Sequence, residues 1–193
     1  MKRIILLILF VLLPSVSIAE EMSGVSFYEI SSGGIRKGCN LVFSAVLRDN
    51  SAKLISVRGS LGFMENFWTF KLEHGDAQKW MNLIKEGRQN QVRSDPVHYA
   101  FFKPVGCKDK GCDISSAGRE IRSFKSEGGG FFGVYDLVDD VAVASNLGIT
   151  NIQIGFNRKK SDYDTKFEID MKDNNNLVET KKYFDCVGGF VKE

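Results

Sequence analysis

Histidine is scarce in this chain: His74 and His98 are the only two, and neither sits in a helical metal-binding motif. No G-x-S-x-G turn offers a nucleophilic serine. No C-x-x-C pair supports thioredoxin-like redox chemistry. No Gly-Lys-Ser/Thr follows the glycines at 128–130, which disfavours a phosphate-binding loop. A basic surplus is missing too. Lys2 and Arg3 account for the whole formal charge of +2, and without them 24 basic residues face 24 acidic ones. Nucleic acids and anionic membranes call for a basic stripe, so neither is an expected partner. Apart from residues 4–13 the chain has no long apolar run, and ten residues are too few for a bilayer core that needs about 20.

What stands at the N-terminus is a different signal. Lys2 and Arg3 precede the apolar run, and Ser17-Ile18-Ala19 places small residues where a signal peptidase reads. Residues 1–19 are therefore expected to be a signal peptide, with the mature protein starting near Glu20 in the periplasm or outside the cell. No cysteine follows the cut, which argues against a lipoprotein, and no membrane anchor is expected after cleavage. Residues 20–193 suit one domain with enough apolar and aromatic content for a real core.

Cys39, Cys107, Cys112 and Cys186 all fall in the exported part. An even count in an oxidising compartment reads first as two disulfides, with three possible pairings. The favoured pairing is Cys107–Cys112, a short staple around Lys108-Asp109-Lys110-Gly111, with Cys39–Cys186 tying the start of the fold to its end. A zinc site from Cys107 and Cys112 would lack the second Cys or His pair it needs. Neither metal nor cofactor is expected.

Alternation dominates the pattern. Leu41, Phe43, Ala45 and Leu47 share one face of a strand, as do Trp68, Phe70 and Leu72, and as do Phe167, Ile169 and Met171. Helical spacing appears three times. Ala77, Trp80, Met81 and Ile84 follow the N-cap candidate Asp76, and Gly87 closes that helix. Residues 137–147 form a second candidate. The third opens with Asn176 and Glu179 in capping-box register, carries Leu177, Thr180, Phe184 and Val187 on one side, and stops at Gly188-Gly189. The expected class is α+β, an antiparallel, sandwich-like β-rich domain with two or three short helices and disulfide staples. Ser60-Leu61-Gly62-Phe63 with Phe70-Lys71-Leu72, and Gln153-Ile154-Gly155-Phe156 with Phe167-Glu168-Ile169, each read as a hairpin followed by a helix. Duplication would give two related halves, 38–93 and 134–193, joined by 94–133; convergence on a common hairpin pattern explains the likeness equally well.

The candidate contact residues are of two kinds. Three glycines and then Phe131, Phe132 and Tyr135 read either as a loop offering aromatics to a partner or, slightly favoured, as a linker whose aromatics dock into the core. Arg158-Lys159-Lys160 reads as a hairpin tip or as a contact for an acidic partner. Catalytic candidates are thinner: His74 with Glu73 and Asp76 in what reads as a turn, His98 in a strand, and the carboxylates Asp136, Asp139 and Asp140, which more simply form an exposed helix start.

The C-terminal quarter, a short helix followed by Gly148-Ile149-Thr150-Asn151-Ile152-Gln153-Ile154-Gly155-Phe156, a polar hairpin, Thr165-Lys166-Phe167-Glu168-Ile169 and a closing helix ending in Cys186, resembles the tail of invasion-associated locus B-like periplasmic proteins. That resemblance implies an exported β-sandwich of the cell envelope, linked to host interaction and without catalytic residues. The expected function is thus non-enzymatic protein binding: an immunity protein or inhibitor acting on a toxin or cell-wall-degrading enzyme. The alternatives are an envelope protein of the locus-B kind and a module that holds a small apolar ligand among its 15 phenylalanines. An enzyme with an unrecognised site would show a cleft of strongly perturbed ionisable groups.

Overall fold

A computed structural model describes residues 21–48, 52–64, 67–105, 120–125, 129–136, 151–158 and 165–191. The expected helix at 137–147 and the Cys107/Cys112 pair lie outside them. Strands β1 (Glu21–Ser32) and β2 (Ile35–Arg48) form a hairpin across Gly33-Gly34. Both glycines have positive φ, +60° and +78°, as a two-residue turn matched to strand twist requires. β3 (Leu54–Met64) and β4 (Phe67–Asp76) extend the sheet antiparallel. β7 (Phe131–Asp136) then pairs with β4, and β6 (Glu120–Lys125) with β7, giving the order β1-β2-β3-β4-β7-β6. A second antiparallel sheet has the order β5-β8-β9, from Tyr99–Pro104, Ile152–Asn157 and Thr165–Ile169.

The alternation read from the sequence is the alternation of burial. Leu41, Phe43, Ala45 and Leu47, then Trp68, Phe70 and Leu72, then Phe167, Ile169 and Met171 all face one core. Along one rung Phe43, Gly59, Leu72 and Phe131 lie side by side. A Cβ on Gly59 would meet the Phe43 ring at 2.3 Å, so glycine there makes room for the aromatic. Phe70 and Phe102 join the two sheets with ring centroids 4.8 Å apart. Burying such rings contributes about 1.5–3 kcal/mol each.

Helix α1 (Ala77–Lys85) starts where expected: the Asp76 carboxylate accepts from the Lys79 amide at 2.9 Å. It ends in a left-handed Gly87 at φ +70°, with Arg88 N–H donating to Leu83 O and Gly87 N–H to Ile84 O. Its apolar face is only half used, since Ala77 and Trp80 are buried while Met81 and Ile84 are exposed.

Helix α2 (Asn174–Val191) departs further from expectation. It starts after Asp173, whose carboxylate accepts from the Asn175 amide, and Asn176 lies inside it. The buried stripe is Asn176, Thr180, Tyr183, Cys186 and Val187, with Leu177 exposed and Phe184 half-buried. The helix also continues through Gly188-Gly189. Helical glycine costs about 1 kcal/mol against alanine, and Phe190, packed 6.0 Å from Phe63, offsets it. A Cys39–Cys186 disulfide ties α2 to β2.

Candidate functional site

Strand geometry separates the residues that sequence proximity grouped together. His74 and Glu73 are neighbours on β4, so they point to opposite faces. His74 is buried, its ring 5.0 Å from that of Phe156 and its Nε2 3.4 Å from Pro96 O. Glu73 lies on the outer face between Arg58 and Lys71. Burial pushes its carboxyl up, but Lys71 and Arg58 outweigh that and hold it below the usual range. Asp76 is the α1 cap and pairs with Lys53 at 2.9 Å. The three are not gathered into one site. His98 is exposed beside β5, its amide donating to Asn157 O. Among the described residues no cluster of three metal-ligating side chains occurs. Asp136 ends β7, while Asp139 and Asp140 lie outside the described residues.

Of the three aromatic contact residues, Phe131 docks into the core, as the favoured alternative had it, but from a strand and not from a linker. Phe131 is not presented from a loop: it begins β7, is 5% exposed, and packs against Phe70 and Tyr99 with centroids 6.0 and 6.2 Å away. The physical cause is the pair of glycines before it. Gly129 and Gly130 both have φ +84°, and a Cβ on Gly130 would lie 2.6 Å from Leu72 O, so the chain turns there and enters the sheet beside β4. Phe132 is half-buried on the other face, and Tyr135 stands opposite Trp68 in register. Arg158 follows β8 and is half-buried, while Lys159 and Lys160 lie outside the described residues.

The surface that sequence reading missed lies where α2 meets the β1–β2 hairpin. Asn176 Oδ1 accepts from Val25 N–H at 3.2 Å, and Glu179 Oε2 from Phe27 N–H at 2.9 Å. Two helix side chains thus take the outward amides of an edge strand, a protected form of edge. Lys182, and then the Phe27 amide, hold the Glu179 carboxyl below its ordinary value. Beside this contact two depressions of about 270 and 260 Å³ share Arg36: one is lined by Ile35, Gly189 and Phe190, the other by Phe27, Glu29, Lys182, Asp185 and Cys186. Arg36 and Glu29 pair at 2.7 Å, both about half exposed, an arrangement worth about 0–1 kcal/mol to stability. Ile35, which lines the first depression, is 62% exposed. Gly33-Gly34 between two β-prone runs is the sequence signal that could have revealed the hairpin.

Compared with known proteins, the chain matches no family model, and no curated protein or solved structure is significantly similar to it.

Proposed function

We propose that this is an exported, non-enzymatic protein that acts by binding another protein, in the manner of an immunity protein or inhibitor of a toxin or cell-wall-degrading enzyme. The observation that carries this reading is the groove around Arg36. It combines the exposed Ile35 and the half-buried Phe27 and Phe190 with a charged margin, the composition of a recognition patch, and the disulfide and the Asn176 and Glu179 bonds fix its walls. A pre-formed surface of this kind loses little entropy on binding. Among the described residues Phe43 stacks on Phe70 and Phe70 packs on Phe102, so these three rings fill the core.

Export is supported by the leader-like N-terminus and by the disulfide, since such bonds persist in oxidising compartments. We read the two sheets as a sandwich-like pair. β3–β4–α1 and β8–β9–α2 are two versions of one hairpin–helix unit, in which Leu61 opposes Phe70 as Ile154 opposes Phe167.

The test is a pull-down from periplasmic and secreted extract with the oxidised protein beginning at Glu20, repeated with Ile35→Asp and Arg36→Glu. One stoichiometric protein, lost in both variants while their thermal melts stay unchanged, supports the reading. Capture indifferent to both variants removes the groove from it. A co-purifying small molecule without any protein overturns it.

A further inference from the structure

The outer face of the large sheet carries a second feature, built around Glu73. Register places Arg58 on β3 directly opposite Glu73 on β4. The Glu73 side chain, 13% exposed, divides its oxygens: Oε2 accepts from Arg58 Nε, and Oε1 pairs with Lys71 Nζ at 2.8 Å. Both cations remain about half exposed. Arg58 is held a second time, its guanidinium carbon 5.0 Å over the Trp80 ring. Trp80 is itself fixed, donating Nε1–H to Arg93 O at 3.2 Å. It lies on Gly75, where a Cβ would come within 2.4 Å of the indole nitrogen. The guanidinium is therefore anchored through Nε and through one face, and no described residue takes its terminal N–H groups. A groove of about 200 Å³ opens between Arg58, Lys71 and Glu73, with Val42, Gly59 and Ser60 along it.

We propose that this groove docks a carboxylate, the Asp or Glu side chain of an acidic segment on a partner protein. Two cations around one carboxylate leave a single positive charge, which one incoming carboxylate neutralises. The free fork of Arg58 matches carboxylate geometry, and its orientation is already set before binding. Membranes and nucleic acids would need a broader basic field than a chain with 24 basic and 24 acidic residues beyond its leader provides. The proposal rests on the protein-binding reading but uses a face separate from the Arg36 groove.

The experiment is an NMR titration of the ¹⁵N-labelled oxidised protein with a short Glu/Asp-rich peptide at low salt, read at Arg58 Nε–H and Trp80 Nε1–H. Saturable shifts at both, with affinity reduced about tenfold or more by Lys71→Glu and by Arg58→Gln, are expected, the thermal melts showing that both variants fold. Absent shifts at these positions overturn the proposal. So do equal shifts with inorganic phosphate or with phosphatidylglycerol vesicles. A partner captured in the pull-down with undiminished affinity by Lys71→Glu also overturns it while leaving the protein-binding reading intact. Peptide shifts that persist when no partner protein is captured count against the broader reading alone.

Discussion

Replacing Cys39 and Cys186 together by alanine removes a cross-link between residues 147 apart. In the chain-entropy account a loop of this length restrains the unfolded ensemble by about 5 kcal/mol. The native state should tolerate the change, because Val25–Asn176 and Phe27–Glu179 still hold the helix to β1, and Tyr183, buried beside Trp68, still fills its place. The expected result is an unchanged far-ultraviolet circular dichroism spectrum with stability lower by about 5 kcal/mol, or a Tm lower by roughly 10–20 °C. Urea titration provides a second reading. An unfolded chain freed of the cross-link is more expanded, so the m-value should rise as the midpoint falls. A loss below about 2 kcal/mol with an unchanged m-value would refute the reasoning, because the unfolded state would then owe little of its compactness to the bridge.

Asn176→Ala strips both Val25 N–H and Asp170 C=O of their side-chain partner; urea unfolding should show a loss of about 2–3 kcal/mol, against less than about 0.5 kcal/mol for Leu177→Ala at the neighbouring exposed position. Glu179 has a folded pKa below its ordinary 4.5, so its contribution is complete above that value and is lost as pH falls through it towards the folded pKa. Stability followed on acidification should decline less steeply in Glu179→Gln, and identical slopes would count against the contact. Phe131→Ala should cost about 3–5 kcal/mol as a core truncation, so a thermal melt must accompany any binding assay of it; a wild-type melt would contradict its burial. Tyr183→Phe should be neutral or stabilising by up to about 1 kcal/mol, because the buried hydroxyl has no hydrogen-bond partner among the described residues; a clear drop in Tm would show that it has one.

The features legible in the sequence were those fixed by local period or local chemistry. Strands β2, β4 and β9 could be read because one face of each is buried, which imposes strict alternation. The start of α1 could be read because Asp76 satisfies a nearby amide within its own turn. Features set by distant partners could not. β1 is an edge strand whose Tyr28 and Glu29 face solvent, which blurs its apolar pattern. β7 follows three glycines and looks like a linker, yet its place is decided by pairing with β4. The Glu73 groove was equally hidden, since the pairing of Arg58 with Glu73 is a matter of register across 15 residues of chain.

Helix α2 shows how such a distant demand can override a hydrophobic pattern. Two stripes that share Thr180 and Val187 compete on it: one adds Leu177 and Phe184 by hydropathy, the other adds Asn176, Tyr183 and Cys186 in the fold. Hydropathy favours the first, since burying Leu177 is worth about 2 kcal/mol. The second is chosen by the edge of the large sheet. β1 presents outward amides at Val25 and Phe27, and leaving such groups buried without acceptors costs about 1–3 kcal/mol each. Rotating the helix to present Asn176 and Glu179 satisfies both amides, aligns Cys186 with Cys39, and packs Tyr183 against Trp68. The same rotation leaves Leu177 and Val178 exposed and sets Lys182 and Asp185 beside Arg36. The proposed recognition groove is thus a consequence of how the sheet edge is closed.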